Sequence, residues 1–189
     1  MLFVPAFAVF AVLARAQAPS FELQLQAVQD AVRCALEDQR AGAIEEAARR
    51  TQTMDGAVGQ LRWVVQDVRR RAAWVDPSRG RDWFFEADLQ RLRHDLTDLS
   101  IRAKILEGEV KQLARETPPD AAAKLVLAAR GLRVESGRMA DDARWAGHEL
   151  SRAGYQADGE EVARSAAAVL MSAFHIEEAA QRLGRGSKP

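Results

Sequence analysis

The chain has 189 residues, enough for one domain with a real core. Its 27 basic and 27 acidic residues cancel, which excludes the overall electrostatic footprint of a nucleic-acid binder or of a protein drawn to anionic membranes. Alanine and arginine are abundant, tyrosine occurs once and asparagine is absent, so the composition favours helix over turn and strand and predicts an all-α protein.

The first stretch, "LFVPAFAVFAVLA" followed by "ARAQA", reads as a secretory signal peptide over residues 1–18, with cleavage after Ala16 or Ala18. The run is shorter than the roughly 20 apolar residues a spanning helix needs. Arg15 lies after the run instead of before it, and Pro19 follows the second site. On this reading the protein is exported, periplasmic or secreted. Residues 19–183 form a single helical-bundle domain, and 184–189 are a flexible C-terminal tail. Cys34 is alone, so no internal disulfide forms. In an exported protein an odd cysteine points to an intermolecular disulfide; the competing reading is a small buried hydrophobe.

Next comes "SFELQLQAVQDAVRCALEDQ", with an apolar seam at Phe21, Leu25, Val28, Val32 and Ala35. A second seam starts at Ile44 and continues Ala47, Thr51, Met54, Val58, Leu61, Val65, Val68, Ala72 and Val75, about two residues out of register with the first. The break falls at "RAGA". Gly42 marks either a kink in one long helix or a turn between two, and the lack of proline, asparagine or a cap signal favours continuity. "VDPSRGRD" then stops the helix, and Asp82 is placed to cap the next.

Three more seams follow: Phe85, Leu89, Leu92, Leu96, Leu99, Ala103, Leu106, Val110 and Leu113; Leu125, Ala129, Leu132, Ser136, Met139, Ala143, Ala146, Leu150 and Ala153; and Val162, Ala166, Val169, Ala173, Ile176, Ala180 and Leu183. Between them "TPPD" offers Thr117 as N-cap with Asp120 as capping-box acid, and "GYQADGEE" repeats the box with Asp158 and Glu161. A sustained seven-residue repeat predicts left-handed supercoiling, and short loops predict antiparallel neighbours. The expected fold is an antiparallel, left-handed coiled-coil-like bundle of four long helices with an N-terminal helix or helix extension.

The four main seams contain no ionisable residue and only Thr51 and Ser136 as polar ones. Bundle enzymes and metal carriers place carboxylates and histidines inward, as in Glu-x-x-His pairs. His94, His148 and His175 are preceded at that spacing by Arg91, Trp145 and Ser172. No haem, phosphate-loop or nucleophile motif is present. No catalytic residue, cofactor or metal is therefore assigned, and the protein is read as non-enzymatic.

Outside the seams lies a second apolar stripe. Trp63 and Trp74 are eleven residues apart, three helical turns, with Arg70 between them. Ile101 and Ile105 on the next helix and Leu127, Val134 and Trp145 on the following one also face outward, while Trp83 and Phe84 stand just after the hairpin tip. An apolar stripe of that length signals an interface or an added covering segment. The sequence therefore points to an exported structural or protein-interaction bundle that forms a homo-oligomer through Trp63, Arg70, Trp74, Trp83, Phe84, Ile101, Ile105 and Trp145. The partner is another protein or a second copy; nucleic acid is excluded, and membrane contact through the hairpin tip ranks behind protein contact. The alternative is a small apolar ligand or lipid held between helices, lined by Ala129, Ser136, Ala143 and Ala146.

Overall fold

The computed structural model describes residues 21–76, 78, 82–116 and 122–185, and among them every regular element is an α-helix. They are α1 (Phe21–Ala72), α2 (Trp83–Glu116), α3 (Ala123–Arg152) and α4 (Gln156–Arg185). The segment 1–18 read as a signal peptide, the proposed cap Thr117 with Asp120, and residues 186–189 lie outside the described set. The chain divides into two compact units, Met1–Gln39 and Arg40–Pro189.

In the first unit, residues 29–39 expose their side chains, Val32, Leu36 and Cys34 among them. The backbone stays helical through "RAGA", so no turn separates the two registers. Glycine in a helix interior weakens it by roughly 1 kcal/mol relative to alanine without removing a hydrogen bond, which is why Gly42 alone does not end a helix. α4 runs to Arg185, two residues past the predicted end of the domain.

The second unit holds the core, and the heptad positions supply it. All of the four seams' residues are buried except Met54, Leu61, Val75 and Leu113, which are half-buried. Phe85, Leu89, Leu92, Leu96, Leu125, Leu132, Leu150 and Ile176 are its largest covered side chains. Cross-helix ion pairs mark which helices adjoin. Arg50 reaches Glu109 and Arg71 reaches Asp88 between α1 and α2, at 2.6 Å each. Arg62 and Lys124 tie α1 to α3 through Asp142 and Glu45. Arg93 joins α2 to Asp158 and Glu161 of α4. α3 and α4 touch backbone to backbone: a Cβ built on Gly159 would lie 2.8 Å from the Gly147 carbonyl oxygen, and one built on Gly147 would lie 3.0 Å from that of Gly159.

The caps divide. Asp82 caps α2 as its sequence position implies, its Oδ1 accepting the Phe84 and Phe85 amides at 3.0 and 3.2 Å. α3 instead starts with Ala122 as N-cap and no side-chain cap bond. Asp158 and Glu161 serve Arg93 of α2, because α4 begins at Gln156 and Asp158 is already inside its first turn. Gly154 takes φ +89°, the one positive φ among the described residues, in the turn joining α3 to α4, and it needs glycine there.

Candidate functional site

The exposed aromatics are the most unusual surface feature. α1 spends its apolar seam inward, which leaves Trp63 on the opposite side, 69% exposed. Trp74 follows in the turn after α1 and is 87% exposed. Arg70 stands between them, bonded to Asp67 at 3.4 Å. On α3, Trp145 is 57% exposed, and the guanidinium carbon of Arg69 stacks over its ring 5.5 Å from the centroid. An open cleft lined by Gln66, Arg69, Arg70, Trp74, Asp142 and Glu149 runs between these helices. Arg70 and Trp74 therefore line the cleft between α1 and α3, Arg69 links that cleft to Trp145, and Trp63 lies on the outer side of α1.

The other predicted site residues lie elsewhere. Trp83 and Phe84 occupy the first turn of α2 and are exposed. Ile101 and Ile105 are exposed farther along α2, where Ile105 borders a groove shared with Met54 and Ala57 of α1. Cys34 is exposed on α1. Both cation-π contacts reach across to another helix: Arg69 of α1 takes Trp145 of α3, and Arg71 of α1 takes Phe85 of α2 at 5.3 Å.

A polar clamp sits beside this surface. Arg62 Nε donates to Asp142 Oδ2 at 2.7 Å, Arg62 Nη1 to Glu135 Oε1 at 3.0 Å, and Gln66 Nε2 shares Asp142 Oδ2 at 2.8 Å. Those two carboxylates hold the Arg62 guanidinium more firmly protonated than usual. Burial, with Glu135 nearby, pushes the Asp55 carboxyl upward, and Asp55 Oδ1 is a covered oxygen without a hydrogen-bond partner. A folded-state pKa above the unfolded value means that ionised Asp55 opposes folding once pH exceeds it. Asp55→Asn is expected to raise the melting temperature slightly at pH 7, by under about 1 kcal/mol in stability, and to lose that advantage near pH 4. Equal effects at both pH values would remove ionisation as the cause.

Sequence reasoning missed two buried carboxylates, Glu107 and Glu177. Each directly follows a seam residue, Leu106 or Ile176, at a heptad flank where interhelical ion pairs form. Glu177 forms an ion pair with Arg133 Nε at 2.5 Å, with Arg130 Nε at 3.8 Å. Glu107 accepts Lys104 at 2.9 Å and Lys111 at 2.5 Å, and bonds Ser172 of α4. His175 Nδ1 lies 3.0 Å from Glu107 Oε1 without hydrogen-bond alignment.

Burial would raise the Glu107 pKa, but the hydrogen bonds from Lys111, Lys104 and Ser172 and the charge of Lys111 outweigh it and bring it to about 2, from 4.5. Because the folded value is the lower one, this contribution to stability is complete above pH 4.5 and disappears as pH falls toward 2. Glu107→Gln should show a flatter melting temperature against pH across that window than the parent chain. Parallel curves would show that Glu107 does not set the acid sensitivity.

Among the described residues no group of three or more His, Cys, Asp or Glu side chains is placed to hold a metal ion, and no helix is long and apolar enough to cross a membrane. No family model, curated protein or solved structure matches the chain.

Proposed function

We propose that the protein is an exported, non-enzymatic interaction bundle that self-associates through its outer aromatic surface. The observation that carries this reading is the exposure of Trp63, Trp74 and Trp145, with Trp74, Arg69 and Arg70 lining the cleft between α1 and α3 and Arg69 stacked on Trp145. Tryptophan and arginine dominate binding hot spots, and exposed apolar patches of this extent commonly mark interaction surfaces. The helices form an antiparallel, left-handed coiled-coil-like bundle. The seven-residue seams support the supercoil, and the opposite running of the Arg50 to Glu109 and Arg71 to Asp88 pairs supports the antiparallel order of α1 and α2.

Export rests on the apolar run and the Ala-x-Ala pattern of residues 1–18, and the mass of the mature N-terminus tests it: retention of Met1 in a cytosolic fraction argues against it. Apolar ligand binding between helices finds less support. Ala129, Ser136, Ala143 and Ala146 are fully covered, and none of the described clefts is lined by them.

Light scattering of the mature chain is the direct test of association. A dimer or higher oligomer is expected with and without reductant, and Trp63→Ser with Trp74→Ser should weaken it at least tenfold in Kd, with helix content unchanged. A monomer at every concentration, or an oligomer indifferent to both substitutions, would remove the surface from this role. An oligomer that dissociates on reduction would move the assembly to Cys34.

A further inference from the structure

We propose that the outer face of α1 pairs with the same face of a second copy, antiparallel and about a two-fold axis near residue 58. This deepens the self-association reading and rests on it. The face is built as two unlike halves. Its C-terminal half carries bulk, Trp63 and Trp74, and its N-terminal half carries glycine, Gly42 and Gly56, with Gly59 between the two. At about 100° per residue, Gly42, Gly56, Gly59, Trp63 and Arg70 fall within an arc of about 100°, the width of a helix contact stripe, and Trp74 stands in the turn just after α1 at the same end.

The glycines are the clue that the bundle itself leaves unused. Gly147 and Gly159 sit where α3 and α4 touch, and no side chain fits between those backbones. Gly42, Gly56 and Gly59 are interior to a helix as well, yet a Cβ at each would meet nothing within 4 Å. Among the described residues no packing contact requires them, although each weakens the helix relative to alanine. On a face that also exposes two indoles, they form a shelf on which large side chains of another helix can lie.

Antiparallel superposition of the face on itself matches size with space. A two-fold axis at residue 58 sets Trp74 opposite Gly42 and brings Trp63 opposite residue 53, beside Gly56. The charges match in the same register. Within α1, Arg49 pairs with Glu46, and Asp67 pairs with Arg70 and, at 4.0 Å, with Arg71. Opposed, the two copies place Arg49 against Asp67 on both sides of the axis, opposite charges at the same angular position on the face. Parallel alignment in register would set each charge against its like.

The area is also sufficient. Applying about 250 Å² to a full indole, Trp63, Trp74 and the flanking Trp145 expose roughly 500 Å² per chain, the larger part of the 800 Å² or so that each partner contributes to a stable interface.

Cross-linking in a Cys34→Ser background tests the geometry. Gln60→Cys places the two thiols close to the axis, whereas Gln52→Cys holds them about 18 Å apart along the helix direction. A short bis-maleimide should join most of the Gln60→Cys chains and few of the Gln52→Cys chains. In light scattering, Asp67→Lys should raise the dimer Kd at least tenfold, and adding Arg49→Glu should restore it, with circular dichroism confirming folded variants. A dimer that fails to cross-link at position 60, or that the charge exchange does not rescue, overturns the antiparallel α1 pairing but leaves self-association standing. A parent chain monomeric throughout overturns both.

Discussion

Gly159→Val is expected to destabilise the second unit by about 3 kcal/mol, at the upper end of what overpacking a filled contact costs, read as a fall in the urea midpoint with little change in slope. The reason lies in how α3 and α4 meet. A Cβ at residue 159 would sit 2.8 Å from the Gly147 carbonyl oxygen, 3.1 Å from its Cα and 3.2 Å from Leu150 Cβ. The first two are backbone atoms and cannot rotate aside. The whole first turn of α4 would have to back away, and with it the carboxylates of Asp158 and Glu161 that bind Arg93 of α2. Alanine at 159 should cost less, because its better helix propensity returns roughly 1 kcal/mol. Alanine at Gly56 or Gly59, where a Cβ meets open space, should stabilise the isolated chain instead. If Gly159→Val and Gly56→Ala shift the midpoint alike, the close α3 to α4 approach is wrong.

This contrast also shows what the sequence could disclose. The seams were legible because a residue's inward direction along a heptad helix depends on the helix alone, and Ile44 through Leu183 filled the core at the expected steps. Asp82 was legible for the same reason, since a cap is a local motif. Gly147 and Gly159 were not, because nothing local distinguishes them from Gly56 and Gly59; only the partner helix does.

Asp158 failed as a capping-box reading in the same manner. Arg93, 65 residues earlier, claims it with a charge-assisted bond, a contact outside any local pattern. Glu107 and Glu177 occupy heptad flanks, where a carboxylate is either solvated or buried depending on what the neighbouring helix presents. The exposed aromatics were legible as outward-facing, but their division among an α1 and α3 side, the start of α2 and the α1 to α2 groove required the helices to be placed.

Phe85→Ala should produce the largest loss, about 3 to 5 kcal/mol, while Phe84→Ala, one residue earlier, should change stability by less than about 0.5 kcal/mol. The two phenylalanines share a helix turn and a cap, so backbone effects are common to both. Their surroundings differ completely. Phe85 is 1% exposed, meets the Tyr155 ring edge-on at a centroid distance of 5.4 Å, and lies under the Arg71 guanidinium. Truncation opens a void at the point where α2, the turn before α4 and the end of α1 converge, and it strips Arg71 of the ring it covers while leaving its bond to Asp88. Phe84 is 78% exposed, so its truncation removes little packing among the described residues. Chemical denaturation of the two variants, side by side, separates folding from surface function. A small effect at 85 would mean that the core does not extend to this end of the bundle. A loss at 84 comparable to that at 85 would mean that its ring is packed, and the start of α2 would then cease to be a free surface available to a partner.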